Sequence, residues 1–167
     1  ATTELKNWEN DFQFLVCIIL SAQTTDKQVN KITKELFKKY PVAKKLSMAK
    51  LEDLEYTLGG INYYRTKSKH IKEMAKILDS KFSGQPPKSI EKLVKLPGVG
   101  YKTANVFLND RYKANQGIAV DTHVLRVARA YGLTKNTNPT RVAHDLEKLY
   151  PKKNWYKVNS TFVLYGR

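Results

Sequence analysis

Apolar residues recur at intervals of three and four along almost all of this 167-residue chain, and that period restricts the possible fold more than any other feature. Val29, Ile32, Leu36 and Phe37 form one stripe, Ile71, Met74, Ala75, Ile77, Leu78 and Phe82 a second, and Val142, Ala143, Leu146 and Leu149 a third. Each describes an amphipathic helix with one buried face. From Phe12 to Leu20 the apolar residues run all round the helix, so that segment is expected to be buried on every side. Stop and start signals fall between the stripes. Asn10 or Asp11, Ser89, Asp121 and Asn138-Pro139 can open helices, and Ser47 can cap a short one carrying Met48, Leu51, Leu54 and Leu58, stopped by Gly59-Gly60. A last helix carries Trp155, Val158, Phe162 and Val163. Asn109 to Gly117 reads as a polar connection, and Ile118 to Val120 as strand-like but too short to matter. The expected class is all-α.

Composition narrows the partners. Thirty Lys and Arg oppose 15 Asp and Glu, a formal charge of +15, and such a field concentrates polyanions, of which nucleic acid is the most abundant in cells. Solubility alone could also explain it, because 24 of the 30 cations are lysines spread in pairs such as Lys38-Lys39 and Lys152-Lys153. The longest apolar run, Phe14 to Leu20, is far below the ~20 residues that span a bilayer, so no membrane partner is expected. The acidic, polar start, with Glu4, Glu9 and Asp11, does not look like a secretion signal. Cys17 is the only cysteine, so a disulfide framework cannot form within these residues and a reducing compartment is the simplest setting.

The sharpest local motif is Leu96-Pro97-Gly98-Val99-Gly100-Tyr101-Lys102-Thr103-Ala104 between two short helices. Glycines at 98 and 100 allow a left-handed backbone and close approach of a ligand. Unpaired amides at the start of the second helix, reinforced by its dipole, suit a phosphate. Such donors see only backbone oxygens, so the hairpin would position DNA rather than read its sequence. An ordinary tight helix connection is the plain alternative.

Three separated motifs in order carry a family resemblance: Leu20-Ser21-Ala22-Gln23-Thr24-Thr25-Asp26, the hairpin from Leu96 to Asn105, and Val120-Asp121-Thr122-His123-Val124-Leu125-Arg126-Val127. From about Thr3 to Arg167 the chain resembles the endonuclease III branch of the helix-hairpin-helix DNA glycosylases. The resemblance implies two helical lobes with the active site in the cleft between them. The six-helix lobe would take residues 12–115, with the hairpin at about 89–110. Residues 1–11 and 116–167 would make an incomplete second lobe.

It also implies the chemistry. Lys102 would attack the sugar C1′ of the damaged nucleotide and Asp121 would assist. The base leaves, an imine forms, and β-elimination breaks the strand on the 3′ side. An amine is mostly protonated at physiological pH, so a nucleophilic Lys102 needs surroundings that disfavour its ammonium form. A facing carboxylate could take its proton and stabilise oxocarbenium character. Base removal requires extrusion of the nucleotide, and by resemblance Gln23 fills the gap and Tyr63 wedges the partner strand, although the branch commonly has an aliphatic residue at the latter position. Leu96, Gly98, Val99, Gly100 and Thr103 would contact phosphate, and His123 and Arg126 would contact phosphate or support the site.

The substrate implied is double-stranded DNA with an oxidised pyrimidine or an abasic site. Adenine excision needs an acid on the first helix, where Phe12 to Leu20 has none. The alternative is a catalytically silent module that binds DNA through the same hairpin. The family usually holds a [4Fe-4S] cluster through four cysteines just beyond a Tyr-Gly-Arg-like sequence, here Tyr165-Gly166-Arg167. No metal or cofactor is expected in this chain, since a cluster would need cysteines beyond Arg167. The chain is therefore expected to be a fragment truncated at both ends, the alternative being a variant with a curtailed second lobe, to act as a monomer and, if bacterial, to work in the cytoplasm at the nucleoid.

Overall fold

The computed structural model describes residues 4–166, with side chains as far as Phe162; the Val163 side chain and Arg167 lie outside the described residues. Helices α1 (Asp11–Ser21), α2 (Asp26–Lys39), α3 (Ala43–Ser47), α4 (Leu51–Thr57) and α5 (Tyr64–Lys81) are followed by α6 (Ile90–Leu93), α7 (Tyr101–Tyr112), α8 (Thr122–Ala130), α9 (Pro139–Leu149) and α10 (Trp155–Gly166). No strand occurs among the described residues, and no helix there is long and apolar enough to cross a membrane.

Five helix starts follow local chemistry. Asn10 accepts from the Gln13 amide, Thr25 from Gln28, Ser89 from Lys92, Asp121 from Val124, and Asn138 from Thr140 and Arg141 with Pro139 just inside. Among the caps expected from the sequence, Ser47 is the exception. It ends α3, an element its expected role left no room for, and its hydroxyl donates to the Lys44 carbonyl. Helix α4 starts four residues later without a side-chain cap, and Met48, expected on its apolar face, is 73% exposed. Leu46, Ala49, Leu54 and Leu58 are buried here, so packing rather than a cap decides where the turn falls.

The chain divides into two compact units. One comprises Thr3–Pro87 and Lys95–Val99 and contains α1 to α5. Its centre is α1, buried from Phe12 to Leu20 as expected and touching α2 and α5. Truncating a fully buried member such as Leu15 to Ala should cost about 2–5 kcal/mol. The other unit comprises Lys88–Val94 and the described residues from Gly100 onward, with α6 to α10. Its core joins Ile118 and Val120 to Val124, Val127 and Ala128 of α8, Val142, Ala143 and Leu146 of α9, and Val158 and Phe162 of α10. The short strand-like segment thus matters after all: in neither helix nor strand, residues 117–120 thread the interior of this unit.

Candidate active site

Gly98 is left-handed (φ 79°), and a Cβ there would lie 3.0 Å from the His70 Cβ, so both its conformation and its packing require glycine. Gly100 differs. Its backbone is extended (φ −93°, ψ −177°), and a Cβ would meet nothing within 4 Å. Its use is as the open N-cap of α7, which gives the first amides of that helix no side-chain acceptor. Leu96 and Val99 are buried, and the Val99 amide closes the turn on the Leu96 carbonyl at 3.1 Å. Thr103 is half-buried.

Lys102 lies in the first turn of α7, exposed. Three and seven residues on, along the same helical face, come Asn105 and Asn109, both buried. The helix runs through Asn109, where the sequence pattern placed the start of a connection, because that residue has a buried task. Its Nδ2 donates to the Gly117 carbonyl at 3.0 Å and its Oδ1 accepts from the Asn115 amide at 3.2 Å. Asn105 Nδ2 reaches the Ile118 carbonyl at 3.5 Å, and from α10 Asn159 Nδ2 donates to the Ala119 carbonyl at 3.1 Å. Three carboxamides therefore hold the carbonyls of three successive residues, and the segment so held ends at Asp121. A Cβ on Gly117 would lie 2.5–2.8 Å from the Tyr101 hydroxyl and the Asn105 amide, so glycine here serves close approach.

Asp121 is half-buried, and its Oδ1 accepts from the Val124 amide at 2.8 Å, the cap of α8. That bond fixes the carboxylate at the end of the tethered segment. His123 and Arg126 lie on α8, exposed. Next to Lys102, Tyr101 ties α7 to α9: its hydroxyl donates to Glu147 Oε1 at 2.6 Å, Glu147 also faces His144 Nδ1 at 3.3 Å, and the Tyr101 and His144 rings lie 5.2 Å apart. Burial, then the Glu147 carboxylate, pushes the Tyr101 phenol well above its ordinary value, so it stays a donor.

Gln23 and Tyr63 belong to the other unit and are brought together there. Both are exposed, and both are left-handed without being glycine, at φ 55° and 58°. Asn62 bridges their turns: its amide donates to Thr24 Oγ1 at 3.1 Å and its Nδ2 to the Gln23 carbonyl. Gln28 Nε2 adds a bond to the Gly60 carbonyl at 3.2 Å. Lys67 of α5 reaches the same place and was missed from the sequence, as were Asn105, Asn109, Tyr101 and Glu147. A signal existed for Lys67, which heads the apolar stripe of Ile71, Met74, Ala75 and Leu78 where a hydrophobe belongs. Asn105 and Asn109 likewise interrupt a buried run.

The residues present do not fit an iron-sulfur cluster. Cys17 is buried inside α1 with its thiol pushed up to about 12 by that burial, and no group of His, Cys, Asp or Glu able to hold a metal occurs among the described residues.

Residues 16–152 match the HhH-GPD superfamily of base excision DNA repair proteins. Endonuclease III of Synechocystis sp. is 39% identical over 167 residues, covering 100% of this chain and 76% of the relative. Endonuclease III of Thermotoga maritima is 39% identical over 156 residues, 93% of this chain and 73% of the relative. A solved structure of a trapped endonuclease III–DNA covalent intermediate superposes with a TM-score of 0.88 at 36% identity, covering 96% of this chain and 76% of that one. With motifs, helical architecture and relatives in agreement, the chain belongs to the HhH-GPD superfamily of base excision DNA repair proteins, in its endonuclease III branch of DNA glycosylases and AP lyases.

Proposed function

We propose that this chain excises oxidised pyrimidines from double-stranded DNA, acting as a monomer, with Lys102 as the nucleophile and Asp121 as its carboxylate partner. The observation that carries the reading is the tether. The face of α7 that bears Lys102 also bears the two asparagines that hold the segment ending at Asp121. An amine and a carboxylate delivered by one buried scaffold suit attack at C1′ followed by proton transfer.

In this reading the Lys102 amine adds to C1′ as the base departs, and the C1′–O4′ bond then opens with a proton passing to O4′, giving an iminium. Asp121 takes the proton released by the amine and offsets positive charge at the sugar. Loss of a C2′ proton then expels the 3′ phosphate. The uncapped start of α7 and the turn at Gly98 hold the backbone of the strand, and His123 and Arg126 add contacts along α8. Gln23 and Tyr63 occupy the space left by the extruded nucleotide.

Borohydride reduction on duplex DNA containing an abasic site tests the proposal. The wild-type chain should form a covalent adduct, and Lys102→Ala should form none while keeping its DNA affinity. A folded, DNA-binding wild type that fails to cross-link would leave the silent-module reading standing in its place. A duplex carrying thymine glycol tests the lesion class, with excision above that of undamaged thymine expected.

A further inference from the structure

Lys67 is 6% exposed, unusual for a lysine, and no carboxylate is among its hydrogen-bond partners. Its Nζ donates to the Leu20 carbonyl at 3.0 Å, to the Ala22 carbonyl, and to Thr24 Oγ1 at 3.4 Å. Leu20 and Ala22 stand at the end of α1, which has no basic residue of its own in its last turn. Their carbonyls are the acceptors a helix end leaves without partners, where the dipole favours a cation. One ammonium therefore terminates α1 and threads the turn carrying Gln23. Burial alone lowers the affinity of this amine for its proton, so its charge is held at a cost that the three acceptors must offset.

The backbone of Lys67 has a second engagement. Its amide donates to the Tyr63 carbonyl at 3.0 Å, closing the first turn of α5 on its N-cap. Thr24 Oγ1, which receives the Lys67 ammonium, also receives the Asn62 amide. Lys67 thus joins the Gln23 turn to the Tyr63 turn through side chain and backbone at once. Each turn presents an exposed side chain from a left-handed non-glycine residue, a conformation that costs about 1–2 kcal/mol and persists only where neighbours impose it.

We propose that Lys67 is a positioning residue that holds Gln23 and Tyr63 as a preformed pair, set before DNA arrives, for entry into the gap left by the extruded nucleotide. This rests on the glycosylase reading above and assigns the pair's geometry to one buried amine. A preset pair spares the protein the ordering of two loops during extrusion. Its loss should fall on steps that need extrusion and spare those that do not.

The test compares three measurements on Lys67→Met, which keeps length and removes the donors. These are single-turnover excision of thymine glycol from a duplex, 2-aminopurine fluorescence beside the lesion as a report of extrusion, and borohydride trapping on an abasic site in a single strand. The ratio of duplex excision to single-strand trapping should fall at least about tenfold, with the fluorescence amplitude falling alongside it. Lys67→Arg should recover part of the ratio. If Lys67→Met leaves the ratio and the fluorescence at wild-type values, or lowers all three measurements in proportion, the proposal is overturned. Should Lys67→Met not fold, Thr24→Ala and Asn62→Ala sever the same bridge at surface positions, with a severalfold fall in the ratio expected and an unchanged ratio overturning the proposal. Failure of wild type to trap at all overturns the lysine chemistry instead, and extrusion fluorescence still decides the role of Lys67.

Discussion

The Gln23–Tyr63 turns and the Lys102–Asp121 scaffold solve similar problems by opposite means. At the turns a buried charge gathers carbonyls and a hydroxyl around one amine. In the scaffold, neutral carboxamides from α7 and α10 hold the residues before Asp121, and the charged groups are left at the ends of the supports. The difference follows from what each must present. Gln23 and Tyr63 are uncharged, so an ammonium beside their backbone does not disturb the role proposed for them. In the proposed reaction Lys102 and Asp121 exchange a proton, and a fixed buried charge beside either would shift that exchange. Asparagine, with a donor and an acceptor and no charge, supplies the anchorage alone.

Charge at the end of the scaffold is what Asp121→Asn removes. Asparagine caps helices as well as aspartate does, so the melting temperature should move little, while trapping at an abasic site should slow by about 10²–10⁴. Comparable losses of stability and activity would show that Asp121 serves only as a cap. Next in size is Asn109→Ala, which leaves the buried Gly117 carbonyl and the Asn115 amide without partners. A cost of about 2–3 kcal/mol is expected in denaturant unfolding. An effect near zero would mean that the carboxamides do not carry the segment, and the contrast with Lys67 would fail.

Gly98→Ala should cost about 1–2 kcal/mol, from the left-handed backbone and the approach of His70, whereas Gly100→Ala should leave stability nearly unchanged and weaken DNA binding. Titration of binding against salt would separate a lost backbone contact from general charge. The smallest effect is expected for Tyr101→Phe, about 1 kcal/mol at neutral pH from the bond to Glu147. Its pH signature is more telling. The phenol is raised in the fold, so above its ordinary value of 10.0 the unfolded chain loses this proton while the folded chain keeps it. Stability then falls as pH climbs from 10.0 toward the folded value. The phenylalanine variant should lack that part of the alkaline fall, measured as melting temperature between pH 9 and 11 on the order of single-degree precision.

The parts legible in the sequence were those decided within a few residues. Asn10, Ser89, Asp121 and Asn138 announced their helices because a cap acts on amides two or three positions away. The wholly buried α1 was visible in its unbroken apolar run. Ser47 misled because the same signal is void when packing sets the register, as Leu46 and Leu54 do here. Lys67 was passed over as one lysine in 24, although its place at the head of an apolar stripe marked it as different.

By itself, then, the sequence determined most of the helices and the order of three motifs, and it pointed to Lys102 and Asp121 as the groups of the proposed chemistry. Each of these is written in short-range spacing and residue type. The tertiary structure alone decided how those groups are held. Lys67 meets Leu20 across 47 positions and Asn159 meets Ala119 across 40, and only the folded chain brings such donors to their acceptors. The reason is physical: a buried polar group must find a partner wherever the fold offers one, and no local pattern records where that is.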